Sequence, residues 1–95
     1  MRPQDRAHNR AFGQTLRELR KRQGLSQDAL AARAHLDRTF ISLLELGQRS
    51  ATLDTMIAVI TALDIPPGEF FGALCNNLSA APASPTSSSD RSAAE

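Results

Sequence analysis

Asp37, Arg38, Thr39 and Ser42 fall close together in the stretch LDRTFIS, residues 36–42, with Phe40 and Ile41 among them. A guanidinium is a planar, permanently charged fork of donors, suited to targets that present two acceptors side by side. The hydroxyls add short-range donors and acceptors, and an aspartate ahead of an apolar run is a helix-cap residue. The groups that make and break bonds are missing from the pattern. His8 and His35 lie far apart, and Cys75 is the single cysteine. No metal-ligand spacing, nucleophile motif or phosphate-cradling glycine loop appears. The chemistry on offer is recognition rather than catalysis, and neither a metal nor a cofactor is expected.

The charge distribution narrows the class of partner. A net charge of +1 conceals a split: residues 1–50 carry ten Lys/Arg against five Asp/Glu, and residues 51–95 carry one Arg against five acids. One end of the chain is built to meet an anion and the other is not. Ten of the eleven cations are arginines, a bias that suits phosphate and base-edge contacts. A solvated helical face would also carry such charges, so charge alone does not settle the partner.

The elements that must position these residues all read as helices; sustained period-two alternation is absent, as are Tyr and Trp. Residues 9–23 place Phe12, Leu16 and Leu19 on one face and Arg10, Gln14, Arg17 and Lys21 on another, with Gly24 as the stop. Ser26 caps a second helix, with Asp28 in its first turn where the helix dipole favours an acid. Asp37 is the cap candidate for a third, 38–46, ended by Gly47. Thr52 caps a fourth, whose apolar stripe is Leu53, Met56, Ile57, Ile60 and Leu63. Pro66-Pro67 breaks that helix and opens a fifth over about 67–78, carrying Phe70, Phe71, Leu74 and Leu78. The expectation is an all-α, compact five-helix bundle over 9–78, a flexible arm over 1–8, and a tail over 79–95. That tail holds six Ser, five Ala and two Pro among 17 residues, a composition that cannot offset the entropy of ordering.

Helices 27–34 and 38–46 are joined by about three residues. So short a joint forces the wide crossing angle of a helix-turn-helix, which presents its second helix outward. Ala31 is small where the helices cross, Leu36 plugs the turn, and Ile41 and Leu44 anchor the second helix inward. The ten-residue interval from Ala31 to Ile41 suits that geometry.

The pieces GLSQDALA, DRTFISLLE, GQR and TLDTM, within roughly residues 12–71, resemble the Cro/repressor-type helix-turn-helix family, also called the XRE family. LDRTFIS further resembles the start of the recognition helix in controller proteins of restriction–modification systems. The resemblance implies a repressor-like five-helix domain that binds double-stranded operator DNA as a homodimer. It also implies a cytoplasmic setting of bacterial or phage type, at the nucleoid. Two positions depart from the pattern. His35 occupies the turn position usually held by glycine, where a left-handed backbone is tolerable for histidine. Leu46 stands where a basic residue often precedes the glycine that ends the third helix.

By that resemblance the N-terminal residues of helix 38–46 lie at base edges in the major groove. Arg38 can bridge O6 and N7 of guanine, and Thr39 and Ser42 can bond to bases or phosphate. Phe40 lies between the buried stripe and the outer face, so core packing and contact with a thymine methyl are both open. Leu43 and Leu46 fall on the outer side: Leu43 is open between groove contact and burial, and Leu46 is expected to be partly buried against a loop or subunit. Backbone contacts are expected from Gln27, from Ser26 and the first amides of its helix, and from Arg17 and Arg49. Arg17 is equally readable as a solvated surface residue. Arg20, Lys21 and Arg22 are expected to contribute a diffuse field.

Phe71, Leu74, Cys75 and Leu78 give the last helix more apolar surface than one side of a small bundle uses, and are the expected dimer interface. One of Phe70 and Phe71 is expected in the monomer core. A lone cysteine excludes an internal disulfide and fits a reducing, intracellular compartment. The longest apolar runs are too short for a membrane span, and nothing in the sequence calls for a small-molecule ligand. The rival reading is a protein-interaction module, an antitoxin or adaptor that keeps the fold without operator binding. Arg38, Thr39, Ser42 and Arg49 favour DNA, whereas Leu43 and Leu46 favour a partner surface.

Overall fold

A computed structural model describes residues 3–79, which form five α-helices: α1 Pro3–Arg22, α2 Gln27–Ala34, α3 Arg38–Glu45, α4 Leu53–Leu63 and α5 Pro67–Ser79. The tail expected over 79–95 lies outside the described residues, apart from Ser79 at the end of α5. Of the arm expected over 1–8, residues 3–8 fall within α1, which starts at Pro3, and the first two lie outside the described residues. A proline is well placed in the first turn, where its missing N–H needs no partner. Asn9, read as the start of the helix, sits well inside it, and its Oδ1 accepts from Ser50 Oγ at 3.2 Å.

Local chemistry sets the breaks between helices. Ser26 and Thr52 accept from the amides of Ala29 (3.0 Å) and Thr55 (3.1 Å), so both expected caps are formed. Asp37 has the extended backbone of a cap residue, yet its side chain makes no capping hydrogen bond. That correction leaves α3 entered through backbone geometry alone. Four helix ends use left-handed residues: Gly24 (φ 73°), His35 (φ 59°), Gly47 (φ 76°) and Asp64 (φ 60°). At His35 the amides of His35 and Leu36 return to the carbonyls of Ala32 and Ala31 at 3.3 and 2.9 Å. This closes α2 and turns the chain at once toward α3. The expected replacement of glycine by histidine therefore holds.

The core is one cluster. Phe12, Leu16 and Leu19 of α1, Leu30, Ala31 and Ala34 of α2, and Ile41 and Leu44 of α3 meet Val59, Ile60, Leu63 and Phe70 from the last two helices. Each fully buried Leu, Ile or Phe contributes roughly 1.5–3 kcal/mol of transfer free energy. Phe70 is the aromatic taken into the core, its ring centroid 5.5 Å from that of Phe12. Polar side chains pin α5 to α1: Asn77 Nδ2 donates to Thr15 Oγ1 (2.7 Å), which donates to the Ala11 carbonyl (2.8 Å). The stripe expected on α4 is only half right. Ile60 and Leu63 are buried, but Leu53 and Ile57 are 66% and 47% exposed, and Val59 and Ala62 take the inner positions. In a helix this apolar, the 3.6-residue period does not say which flank faces the core. No single helix among the described residues is long and apolar enough to cross a membrane.

Candidate nucleic-acid interface

The corner between α2 and α3 holds the residues singled out in the sequence. Ile41 and Leu44 are fully buried, so the opposite side of α3 turns outward. Arg38 and Thr39 are exposed, while Phe40, Ser42 and Leu43 are half-buried. An open concavity of about 710 Å³ is lined by His35, Leu36, Asp37, Thr39, Phe40, Leu43 and Arg49. The structure thus brings the start of α3 and the following loop around one hollow. Arg49 sits over the Phe40 ring, 5.7 Å from its centroid. Phe40 is therefore neither wholly core nor wholly groove: one part packs on the core, and its ring carries a guanidinium.

Arg38 faces a second element. Its Nε lies 3.4 Å from Asp28 Oδ1, joining the first turns of α2 and α3, and its side chain stays 60% exposed. Ser42 lies outside the set that lines the concavity. Arg17 is exposed on α1, away from that set. Leu46, expected to be partly buried against a loop or subunit, is 58% exposed at the end of α3 in the single chain, so no loop covers it. The left-handed turn at Gly47 follows it directly, and the neighbouring loop does not fold back over its side chain.

Behind the outward face lies a network that reading the sequence missed. Arg20, placed among the residues of a diffuse field, is buried and bonded to Glu45 of α3. Nε donates to Oε2 at 2.6 Å, Nη2 donates to Oε1 at 3.0 Å, and Nη1 donates to the Leu25 carbonyl at 2.9 Å. The hydrogen bond to Glu45 and its charge hold the Arg20 guanidinium above its ordinary pKa, against the lowering caused by burial. The signal was present: Arg20 falls four residues after Leu16 and eight after Phe12, on the buried stripe. Gln27, the expected phosphate contact, also turns to this carboxylate, its Nε2 donating to Glu45 Oε1 at 3.0 Å. One of its amide hydrogens is therefore engaged within the protein.

α3 is seated on α1 by backbone as well as by charge. A Cβ at Gly13 would run into the Leu44 carbonyl and stand 2.6 Å from that of Glu45. A glycine in a helix interior costs about 1 kcal/mol relative to Ala. Here it permits an approach that no side chain would allow.

The residues expected at a dimer interface divide. Phe71 and Leu74 pack against the core, Leu74 and Leu78 line a groove with Phe12 and Met56, and Cys75 is exposed. The large apolar side chains most open to solvent among the described residues are Leu46, Leu53 and Ile57.

Residues 16–70 match the family model described as Helix-turn-helix. The control protein C.MunI of Mycoplasma sp is 39% identical over 61 residues, covering 63% of this chain and 82% of that protein. The solved restriction–modification controller protein C.AhdI from Aeromonas hydrophila has 48% identity and a TM-score of 0.63, over 66% of this chain and 96% of that one. The controller C.Esp1396I, solved as a tetramer in complex with its natural 35 base-pair operator, has 25% identity and a TM-score of 0.71, over 75% and 93% of the two chains. A helix-turn-helix corner on a five-helix core, with this degree of likeness to control proteins, shows that the chain belongs to the XRE-type helix-turn-helix family, alongside the restriction–modification control proteins.

Proposed function

We propose that this chain is a transcription regulator that binds double-stranded operator DNA as a homodimer, with α3 in the major groove, and that it controls the genes of a restriction–modification system. It acts in the cytoplasm and as a regulator rather than an enzyme. One observation carries the reading: the α2–α3 corner leaves Arg38 and Thr39 exposed beside a hollow over which Arg49 is held by Phe40. Arg38 and Thr39 address base edges, with Ser42, Leu43 and the free part of Phe40 next to them. Arg49, Gln27, Arg17 and the capped start of α2 at Ser26 address phosphates. The likeness to C.Esp1396I, whose tetramer has been solved on its operator, supports both the DNA and the self-association.

Twofold pairing sets two copies of α3 about 34 Å apart, one turn of DNA, which calls for a near-palindromic operator. For the pairing face, the exposed Leu53 and Ile57 of α4 join the open parts of Phe71, Leu74 and Leu78, with Cys75 beside them on α5. Most of the α5 apolar surface is half-spent within the monomer, so α4 supplies the larger uncovered side chains.

Selection of bound sequences from a pool of random duplexes tests the function, since it reports specificity, symmetry and half-site spacing together. Enrichment of a twofold-symmetric site is expected; recovery of no preferred sequence would refute the reading. A second reading, an apolar partner surface in place of DNA, is favoured by the exposure of Leu46 alone. A salt titration separates the two. Duplex binding weakens steeply between low and physiological salt as counterions return, whereas apolar docking barely responds.

A further inference from the structure

We propose that Asp28 is a positioning residue for sequence reading: its carboxylate, against Nε of Arg38, orients the guanidinium so that its two terminal nitrogens are left for a guanine edge. This rests on the DNA reading above and names a determinant of specificity within it. Asp28 belongs to the helix expected to cross the phosphates, and Arg38 is the first residue of the helix expected to enter the groove. The tight corner sets these two first turns side by side, with Asp28 Oδ1 3.4 Å from Arg38 Nε.

Two aspects of the chemistry point the same way. A guanidinium has more than one hydrogen-bonding edge, and an unrestrained one can address a lone phosphate, a thymine O4 or a guanine through different edges. With the carboxylate at ion-pair distance beside Nε, the two terminal nitrogens carry parallel N–H groups, a pattern that matches the O6 and N7 acceptors of guanine. Both side chains stay open, Arg38 at 60% and Asp28 at 78% exposure. The second aspect is the cost of the charge. A carboxylate on a surface that meets phosphates weakens binding to every sequence alike. An exposed pair of this kind also adds little to folding stability. Selectivity is the property that such a carboxylate improves: it disfavours indiscriminate attraction and restricts Arg38 to a base that offers acceptors only.

The test uses the full chain and a duplex that the wild-type protein selects from a random pool, with a random-sequence duplex of equal length as control. Guanines of the selected duplex are replaced one at a time by 7-deazaguanine, which removes the N7 acceptor, and Arg38→Ala identifies the position that depends on Arg38. Asp28→Asn, a substitution of equal size on an exposed position, is then measured alone and combined with Arg38→Ala. Asp28→Asn is expected to bind the random duplex more tightly. Its preference for guanine over 7-deazaguanine at that one position should fall about tenfold, within the span of a bidentate contact. The double variant should discriminate no less than Arg38→Ala alone. An unchanged preference in Asp28→Asn would overturn the proposal. So would a further loss of discrimination in the double variant, because Asp28 would then be reading a base directly, as a carboxylate can at cytosine N4. If the wild-type chain binds neither duplex, the DNA reading itself falls and this proposal with it. Binding without an effect of Asp28 would sink the proposal alone.

Discussion

Arg20 Nε and Glu45 Oε2 meet at 2.6 Å although 25 residues separate them, and their side chains are 10% and 5% exposed. The pair joins the first helix to the end of α3, and Gln27 of α2 donates to the same carboxylate. Three elements of the reading surface therefore share one buried ion.

Removing one member leaves the other charged and enclosed. Arg20→Ala or Glu45→Ala should lower stability by about 3–5 kcal/mol, whereas a well-packed apolar pair such as Arg20→Met with Glu45→Leu should recover most of that. Urea denaturation of the single and double variants checks this. Near-equal destabilisation by all three would show that the pair contributes through shape rather than charge.

The glycines of the chain should respond in opposite directions. Gly13→Ala places a methyl against the α3 carbonyls and should cost about 1–3 kcal/mol net, despite the better helix propensity of alanine. Gly68→Ala and Gly72→Ala meet open space in α5 and should be neutral or stabilising by up to roughly 1 kcal/mol. Thermal melts of the three variants settle it, and a stabilised Gly13→Ala would contradict the close seating of α3 on α1.

Arg38 and Arg49 should separate base reading from backbone attraction. Arg38→Ala should lose about 1–3 kcal/mol of discrimination at one operator position and keep the fold. Arg49→Ala should weaken binding alike for all sequences and reduce the slope of log K against log salt by about 0.9. Anisotropy titrations across a salt series measure both. A melting temperature lowered by many degrees in Arg38→Ala would mean that its contact with Asp28 is structural.

Self-association should fail on substitution at the uncovered α4 side chains. Ile57→Glu or Leu53→Glu should give monomers with near-native helix content and weakened operator binding, read by sedimentation and circular dichroism. Leu74→Glu should also impair pairing, but with loss of stability, because Leu74 packs on the core. Dimers persisting in Ile57→Glu and Leu53→Glu would move the interface to α5.

Features set by neighbours in sequence were legible. Ser26 and Thr52 cap as their types demand, Gly24 and Gly47 take the left-handed backbone, and His35 tolerates it. Ile41 and Leu44 are buried where the short turn requires them. What escaped depends on distance along the chain or on a choice between similar faces. The partner of Arg20 lies 25 residues away, and no local rule ties an arginine on an apolar stripe to a particular glutamate. Leu53 and Ile57 fit the same helical period as Ile60 and Leu63, and only the packed bundle says which of them is covered. Asp37 has the right type and backbone for a cap, while its side chain is not used as one. The outward residues of α3 could be named because the inward ones were certain; the contacts of Asp28 with Arg38 and of Gln27 with Glu45 needed the corner itself.

The contact at Gly13 fixes α3 by its rear end, whereas Arg38 stands at the front. Eight residues of helix make a lever about 12 Å long, held at the tail and aimed at the tip. Any tilt at the pivot is magnified at the tip, so a change at Gly13 disturbs aim as well as folding. A variant there that still melts normally would be expected to point its arginine at the wrong base pair.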